Sequence, residues 1–324
     1  MKFAVIGCGS IGQRHIRNLL SLGINDIVIY DSNQRLLKEV AKKFKVRTLE
    51  SLNFESILCT FVCTPPSTHV QIATKALRRK SHVFIEKPLS SSLNGVEQLE
   101  YIASKNRLQV FVGYAFRFDV GLRKVRELLS KNIIGNVLSY DAYEGWYLPK
   151  WRPWQDYKKS YTASRRLGGG IILDGSHEIN YLQWLGGKID QVFSYYRTVP
   201  HLKVETEGLA EILFRFKSKA IGRVHLDFVN PSYNRHCEII GEKGSIKWSF
   251  EQKTIEIQKN SQTGGRRIKY GKDNNEMYLR EVQHIIDCLN GNSDKTITLK
   301  DAKRTLEISL AIIRSGKTNR PIPV

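Results

Sequence analysis

The stretch that decides the fold lies near the start of the chain and reads Phe3-Ala4-Val5-Ile6-Gly7-Cys8-Gly9-Ser10-Ile11-Gly12. A short apolar run, typical of a buried strand, leads into three glycines spaced as G-x-G-x-x-G, and a helical pattern follows. The first glycine permits a tight turn, the second lets a pyrophosphate approach the backbone, and the third lets the helix pack on the strand. Because a helix N-terminus offers free N–H groups to phosphates, the stretch predicts a dinucleotide-binding βα unit.

An acidic residue at the end of the next predicted strand indicates which dinucleotide binds. Asp31 lies 19 residues after Gly12, where a carboxylate accepts hydrogen bonds from both hydroxyls of an adenosine ribose. The same carboxylate repels a 2′-phosphate, so the sequence favours NAD. Arg35 lies close by, and a basic residue there keeps NADP as the alternative.

Short β-branched runs alternate with helical patterns through the first third of the chain. The strands are predicted at residues 3–7, 26–31, 57–63, 82–86 and 108–113. Strands that alternate with helices and are buried on both faces are typical of a parallel, doubly wound sheet. The sequence therefore predicts an α/β protein whose first domain, residues 1–118, is an NAD-binding Rossmann domain.

The hydrophobic pattern changes to a period of two from about residue 137. Residues 224–228 and 254–258 alternate between apolar and polar, which marks strands with one face in water and an open, mostly antiparallel sheet. Two helices close the chain, and the second is predicted to end at Gly316. Residues 119–324 are therefore predicted to form a second α/β domain for substrate binding and oligomerisation, with the last helix a candidate for packing back on the first domain.

Composition and charge limit the classes of partner. The chain has 324 residues, with 51 Lys and Arg against 31 Asp and Glu, which gives a formal net charge of +20. This bias favours anionic partners, although a Lys-rich surface with no specific partner explains it equally well. No RNA-binding or helix-turn-helix pattern accompanies it, so nucleic acid is not predicted as a partner. No apolar run approaches the ~20 residues of a membrane helix, so no membrane association is predicted.

The cysteines indicate the compartment and argue against a metal. There are five, an odd number, and none forms a C-x-x-C pair, so they predict buried free thiols rather than a disulfide framework. No His/Cys/Asp cluster has the three-ligand spacing of a catalytic zinc site, and a metal-free mechanism is predicted. The N-terminal apolar run is too short for a signal peptide, so we expect a cytoplasmic protein.

Two loops at the carboxyl ends of predicted strands carry the next signals, because ligands bind at those ends in parallel sheets. Thr64-Pro65-Pro66-Ser67-Thr68-His69 follows one strand, and Glu86-Lys87-Pro88 follows the next. Taken alone, the prolines are equally well turn punctuation and Lys87 a solvated charge. Together with the glycine stretch, in this order and spacing, they resemble the glucose–fructose oxidoreductase and inositol dehydrogenase family (Gfo/Idh/MocA).

The resemblance extends over nearly the whole chain. Residues 113–118 are similar to the family's junction between its two domains, and residues 168–177 are similar to its glycine-led active-site helix. In that family the Lys of Glu-Lys-Pro, an Asp and a His gather at the nicotinamide, which implies Lys87, Asp174 and His177 as the catalytic residues. The family more usually separates the Asp from the His by four positions rather than three, but both spacings share one helix face.

The turn, the acid and the two loops together give the predicted cofactor-binding set. Its members are Gly7, Gly9, Ser10, Ile11, Gly12, Asp31, Thr64, Pro65, Pro66, His69, Glu86 and Lys87.

The implied catalytic residues suit the oxidation of a carbinol. A histidine takes up the hydroxyl proton near neutral pH, an aspartate orients and stabilises the imidazolium, and a lysine favours alkoxide character on the substrate oxygen.

Residues 144–166 carry the substrate signal, because three of the five tryptophans lie there with three tyrosines and six basic residues. Aromatic rings stack on sugars or bases, and guanidinium groups bind phosphate or carboxylate. The predicted substrate-binding residues are Arg117, Trp151, Arg152, Trp154, Tyr161 and Arg165. An aromatic-rich contact between subunits explains the same composition. In the family, segments of this kind are associated with surface-carbohydrate synthesis, which implies an anionic or nucleotide-linked sugar.

The first hypothesis is therefore an NAD(P)-dependent oxidoreductase that transfers hydride between nicotinamide and a secondary hydroxyl or ketone of a sugar, cyclitol or nucleotide-activated sugar. A second is a redox-neutral epimerase or eliminase that retains its NAD. A third is a non-catalytic NAD-binding regulator. As in the family, the open sheet face is expected to pair with another subunit in a homodimer or homotetramer.

Overall fold

Residues 1–271 and 273–324 are described by a computed structural model, in which they divide into two units. The first unit contains Met1–Ala115 and Met277–Lys303, and the second contains Phe116–Glu276 and Arg304–Val324. The first break follows the predicted strand at 108–113, which is where the hydrophobic pattern places the end of the parallel sheet.

The first unit contains the predicted parallel sheet. Among the described residues its strand order is β3-β2-β1-β4-β5-β6, and every neighbouring pair is parallel. The strands are β1 (Phe3–Ile6), β2 (Ile27–Tyr30), β3 (Arg47–Thr48), β4 (Cys59–Val62), β5 (His82–Glu86) and β6 (Val110–Gly113). All residues of β1, β4 and β6 are buried, as expected for strands covered on both faces. The prediction of a doubly wound sheet is confirmed; only the exposed two-residue β3 lacks a sequence signal.

Helices cover both faces of this sheet. They are α1 (Ser10–Ser21), α2 (Gln34–Phe44), α3 (His69–Arg78), α4 (Val96–Lys105) and, from far along the chain, α9 (Glu276–Leu289). Val282, Ile285 and Ile286 of α9 lie in the same apolar core as Phe61 and Phe84 of the central strands. The penultimate helix of the chain therefore completes the core of the first unit.

The second unit contains a larger sheet with strand order β14-β13-β12-β11-β7-β10-β9-β8-β15 among the described residues. The strands are β7 (Val137–Gly145), β8 (Ile189–Thr198), β9 (Glu207–Phe216), β10 (Ile221–Asp227), β11 (Asn234–Gly241), β12 (Gly244–Ser249), β13 (Thr254–Lys259), β14 (Arg266–Lys269) and β15 (Ile322–Pro323). Strands β7 and β10 pair in parallel, and the other neighbours are antiparallel. The prediction of a mostly antiparallel sheet is confirmed.

Helices pack on one face of this sheet. They are α5 (Val120–Ser130), α6 (Leu148–Trp151), α7 (Ile171–Asp174), α8 (Ser176–Gly186) and α10 (Leu299–Thr318), of which the residues from Arg304 onward belong to this unit. The prediction that the last helix ends at Gly316 is wrong, because α10 continues to Thr318. A Cβ at Gly316 would lie 2.4 Å from the ring of Tyr196, so this glycine allows close packing and does not end the helix.

Candidate active site

The glycine turn between β1 and α1 has the geometry that a dinucleotide needs. Gly7 has a φ of +97°, and a Cβ there would lie 2.6 Å from the carbonyl oxygen of Cys63. A Cβ at Gly12 would lie 1.9 Å from the carbonyl oxygen of Gly7. At Gly9, by contrast, a Cβ would meet nothing within 4 Å, so the backbone is open on that side. The first and third glycines therefore serve the turn and the packing, and the second leaves the space into which a pyrophosphate fits.

The carboxylate of Asp31 is held beside this turn. Its Oδ2 accepts a hydrogen bond from the Cys8 N–H at 2.7 Å, and its Oδ1 accepts one from the Asn33 N–H at 2.8 Å. The nearby Arg35 pairs with Glu39 of its own helix at 2.9 Å, with both side chains largely exposed. The carboxylate of Asp31 and the groups around it therefore fit an adenosine ribose with two free hydroxyls, which is the ribose of NAD.

His69 joins the two loops that follow β4 and β5. Its Nε2 lies 2.7 Å from the carbonyl oxygen of Thr64, and its Nδ1 lies 2.9 Å from that of Pro88. Burial lowers the pKa of His69, and the contacts with the two carbonyl oxygens oppose that effect. Thr64 also shares a hydrogen bond with Thr68 at 2.8 Å. These contacts place Thr64, Pro65 and His69 in one braced loop at the carboxyl edge of the sheet.

Glu86, the last residue of β5, fixes the backbone at Lys87. Its Oε2 accepts a hydrogen bond from the Lys87 N–H at 3.1 Å, and its Oε1 lies 2.6 Å from Nε2 of His15. His15 is fully buried on α1, the helix that begins at the glycine turn. One buried histidine–glutamate pair therefore connects the glycine turn to the Glu-Lys-Pro loop.

His15 is absent from the predicted site, although its signal is present in the sequence. It lies on the apolar stripe of α1, and a buried imidazole needs a polar partner. The partner, Glu86, is 71 positions away. Sequence alone therefore indicates that His15 has a partner but does not identify it.

In the second unit, a glycine run leads into the helix that bears Asp174. Gly170 has a φ of +115°, and a Cβ there would lie 2.2 Å from Oε1 of Glu207. A Cβ at Gly169 would lie 2.2 Å from the carbonyl oxygen of Tyr161. Larger residues at either position would displace the start of α7, so the glycines allow this helix to pack against its neighbours.

Asp174 and His177 lie on either side of a helix break. Asp174 ends α7, Gly175 follows, and His177 lies in the first turn of α8. A Cβ at Gly175 would lie 2.8 Å from the side chain of Leu226 on β10, so the break is packed tightly on the sheet. Asp174 is 3% exposed and His177 is 6% exposed. The expected continuous helix is therefore two short helices, and the three-residue spacing spans their junction.

Each of the two residues has an aromatic neighbour. The hydroxyl of Tyr161 donates a hydrogen bond to Oδ1 of Asp174 at 2.6 Å. The ring of Phe116 packs edge-on against the imidazole of His177, with 4.9 Å between centroids. Beneath Phe116 lies the guanidinium of Arg235, 4.4 Å from the ring.

The predicted substrate-binding residues differ in their exposure to solvent and in their packing. Trp154 is 72% exposed, and Arg165 is also exposed. Trp151 packs against Trp146 and Phe228, with centroids 5.8 and 5.2 Å apart. The segment that carries them forms α6 and short 3₁₀ turns.

The two remaining members of that predicted set have aromatic neighbours. The guanidinium of Arg152 lies 5.9 Å from the ring of Tyr161. Arg117 is 5% exposed, with its guanidinium 4.8 Å from the ring of Trp184. The structure therefore brings Arg152 and Tyr161 together near Asp174, whereas Arg117 is buried at a separate aromatic contact.

A buried ion cluster next to His177 is also absent from the predicted site. Arg235 pairs with Glu178 at 2.9 Å and with Glu144, and all three side chains are at most 7% exposed. Burial raises the pKa of Glu178, and Arg235 opposes that rise. The three residues lie on β7, α8 and β11, which are far apart in the sequence, so the sequence does not reveal their pairing.

Two findings concern membranes and metals. In the described part of the chain, none of the helices has the length and apolarity needed to cross a bilayer. Across residues 1–271 and 273–324, no group of three or more His, Cys, Asp or Glu side chains is arranged to hold a metal ion.

Comparison with known proteins gives consistent matches over both units. Residues 1–114 match the oxidoreductase family with an NAD-binding Rossmann fold (GFO_IDH_MocA), and residues 122–247 match the GFO/IDH/MocA C-terminal domain. The chain is 26% identical to the myo-inositol 2-dehydrogenase of Thermotoga maritima over 99% of this chain and 98% of that protein. It is 30% identical to an uncharacterised oxidoreductase of Synechocystis over 75% of this chain and 70% of that protein.

A solved structure has a similar fold over the full length. The WlbA dehydrogenase from Bordetella pertussis, crystallised with NADH and UDP-GlcNAcA, aligns with a TM-score of 0.86 and 20% identity. The alignment covers 100% of this chain and 97% of that one.

Proposed function

The chain belongs to the Gfo/Idh/MocA oxidoreductase family, and from that premise we propose that it is an NAD-dependent dehydrogenase of a sugar, cyclitol or nucleotide-activated sugar. One observation carries the proposal. The backbone at Gly9 is open to a pyrophosphate, and the same helix, through His15 and Glu86, holds the loop that bears Lys87. The cofactor turn and the proposed catalytic lysine are thus parts of one braced structure.

The proposed mechanism assigns one role to each of the three residues. NAD would be held at the open backbone of Gly9 and at the carboxylate of Asp31, and it would supply the hydride acceptor for oxidation of the carbinol. The ammonium of Lys87 holds the substrate oxygen and favours its alkoxide character. An imidazole nitrogen of His177 takes up the hydroxyl proton, and Asp174 orients that imidazole and stabilises its charged form. The proposal requires that Lys87 and His177 act on the same substrate.

The nature of the substrate is inferred from the charge and the aromatic segment. The net charge of +20 and the exposed Arg165 and Trp154 favour an anionic or nucleotide-linked sugar, with the indole stacking on a ring and the guanidinium pairing with phosphate or carboxylate. The DNA- and RNA-binding alternatives have no comparable support. All five cysteines are free and buried, which suits a reducing cytoplasm.

The proposal is tested by screening sugars, cyclitols and nucleotide sugars for binding to the NAD-loaded protein, and then following absorbance of the reduced nicotinamide. A substrate that is oxidised with stoichiometric NADH supports the proposal. A substrate that is converted while no NADH accumulates would instead identify the redox-neutral alternative. Binding without any conversion would favour the NAD-binding regulator.

The cofactor role of Asp31 leads to a specific prediction. Asp31→Ser removes the ribose acceptor, so we expect the Kd for NAD to rise about 10- to 100-fold, the range for a lost hydrogen bond to a charged group. The discrimination against NADP should fall at the same time, because the repulsion of its 2′-phosphate is removed. Titration calorimetry with both dinucleotides measures this, and Asp26→Ser, an exposed aspartate at the opposite end of β2, is the control. Equal loss of both dinucleotides would contradict the assignment.

The open face of the second sheet supports the proposal of a homodimer or homotetramer. Four large apolar side chains on this face, one from each of β8, β9, β10 and β11, are 46–60% exposed, namely Tyr195, Leu213, Ile221 and Ile240. An exposed apolar surface of this kind is typical of a protein–protein interface. Strand register places them on the same side as Arg223 and His225, away from the helices.

We expect the protein to elute as a dimer or larger in light-scattering chromatography, and Leu213→Lys to shift it towards the monomer. Leu213 is 48% exposed on this face, and Leu93, 40% exposed in the first unit, is the matched control. Leu93→Lys should leave the mass unchanged. A wild-type protein that is monomeric at micromolar concentration would contradict the proposal.

A further inference from the structure

We propose that Tyr161 is a positioning residue that holds the carboxylate of Asp174, and is not a substrate-binding residue. This inference rests on the proposed function, because it assigns Tyr161 to the same dehydrogenase site. Three observations support it: the hydrogen bond of the Tyr161 hydroxyl, the close packing of the backbone at Tyr161 against Gly169 and Gly170, and the charged groups around Asp174.

The hydroxyl of Tyr161 is already committed to a partner within the protein. It lies 2.6 Å from Oδ1 of Asp174, a carboxyl that is 3% exposed. A phenol has one proton, and beside a carboxylate it donates that proton. Burial and the charge of Asp174 both raise the pKa of Tyr161, so the phenol remains a donor throughout the working pH range. To bind a substrate hydroxyl as a donor, Tyr161 would have to release Asp174.

The backbone at Tyr161 is fixed against the start of the helix that ends in Asp174. The N–H of Gly170 donates to the carbonyl oxygen of Thr162 at 3.1 Å, and the hydroxyl of Thr206 donates to the same oxygen at 2.9 Å. Gly169 packs so closely on the carbonyl of Tyr161 that a Cβ would lie 2.2 Å away. The hydroxyl of Tyr161 and the carboxylate of Asp174 therefore lie on two segments whose backbones contact each other closely. A hydrogen bond between two such segments can hold the carboxylate in a fixed position.

Other charged groups lie close to this contact. Burial raises the pKa of Glu207 on β9, and the charge of Asp174 adds to that rise, so the two carboxyls lie near each other. The guanidinium of Arg152 interacts with Tyr161, and that of Arg165 with Glu207. His177 follows on α8. Tyr161 is thus a neutral donor to the carboxylate of Asp174, which has the buried carboxyl of Glu207 nearby.

The test replaces the phenol by a phenyl ring and follows Asp174 directly. In protein with ¹³C-labelled aspartate carboxyls, the signal that disappears in Asp174→Asn is recorded at one fixed pH in wild type and in Tyr161→Phe. We expect the carboxyl chemical shift of Asp174 to change in Tyr161→Phe, because the hydrogen bond from the phenol is lost. Tyr157→Phe is the matched control, since that hydroxyl donates to the carbonyl oxygen of Leu202 at 3.1 Å and should leave the signal unchanged.

Kinetics provide a second readout. Tyr161→Phe should lower kcat about 10- to 100-fold with KM nearly unchanged, and should move the acidic limb of the pH–rate profile upward, because a charge-assisted hydrogen bond is lost. Tyr157→Phe should retain wild-type values. A raised KM with unchanged kcat would overturn the proposal and identify Tyr161 as a substrate-binding residue.

The carboxyl signal separates this inference from the proposed function, because its measurement needs neither substrate nor turnover. An Asp174 signal with the same chemical shift in wild type and in Tyr161→Phe overturns the inference even if NAD-dependent oxidation is established. A shifted signal in a protein that oxidises no sugar supports the inference while the proposed function fails. If Tyr161→Phe does not fold, 3-fluorotyrosine at position 161 keeps the ring and strengthens the donor, and it should still change the chemical shift of the Asp174 carboxyl.

Discussion

Replacing Lys87 by methionine is expected to lower kcat by about 10²–10⁴-fold, the usual contribution of a group that assists proton transfer or charge development. The Kd for NAD should change only a few-fold, because the pyrophosphate and ribose contacts are proposed for Gly9 and Asp31. Methionine preserves most of the side-chain volume and removes the ammonium. The N–H of residue 87 can still donate to Glu86, so the loop should keep its shape.

Stopped-flow or steady-state NADH absorbance measures kcat, and calorimetry measures the Kd for NAD. Lys75→Met is the control, since Lys75 is an exposed lysine on α3 of the same unit. It should behave as wild type in both assays. If Lys87→Met lost NAD affinity and kept its kcat, Lys87 would be a cofactor-binding residue only.

Replacing Arg235 by methionine is expected to reduce the free energy of unfolding by about 3–5 kcal/mol, the cost of removing one partner from a buried ion pair. The variant leaves the carboxyls of Glu144 and Glu178 buried without their common cation. Arg223→Met is the matched control, because Arg223 pairs with Asp141 on the exposed face of the same sheet. The free energy of unfolding should fall by less than about 1 kcal/mol in Arg223→Met. Urea unfolding followed by tryptophan fluorescence compares the two.

The pH dependence of the Arg235→Met effect has a definite sign. Burial raises the pKa of Glu178 above its value in the unfolded chain, and removing Arg235 removes the group that opposes this rise. The folded variant therefore binds more protons than the unfolded chain, and its stability falls as pH rises through the interval between the two pKa values. The deficit relative to wild type should be smaller near pH 5 than near pH 8. A deficit that is independent of pH would show that lost packing, and not buried charge, is responsible.

The elements of the first unit were predictable because their signals are local. The strands β1, β2, β4, β5 and β6 lie within the predicted segments, since each is an apolar run bounded by turn residues. The glycine turn is equally local, because its three glycines and the acid of Asp31 act within one βα unit and the strand beside it. The predicted roles of Lys87, Asp174 and His177 came from resemblance to the family, and they remain predictions.

The contacts that support these residues could not be predicted from the sequence. His15 and Glu86 are 71 positions apart, and Arg235 and Glu178 are 57 positions apart. A single sequence contains no signal for such pairings, since any buried charge can be satisfied by many partners. Gly316 illustrates the same limit, because a glycine near a helix end suggests a helix stop, whereas its tertiary neighbour Tyr196 requires it for packing.

The amino-acid sequence by itself determined the main strands of the parallel sheet, the change from a parallel to an antiparallel sheet, and the position of the dinucleotide turn. Each of these depends on periodicity and backbone freedom, which act over a few residues. Only the tertiary structure decided that α9 completes the first core, that the helix bearing Asp174 breaks at Gly175, and that Tyr161 hydrogen-bonds to Asp174. Those features depend on which distant groups come together when the chain folds, because burial requires each polar atom to find a partner in space and not along the chain.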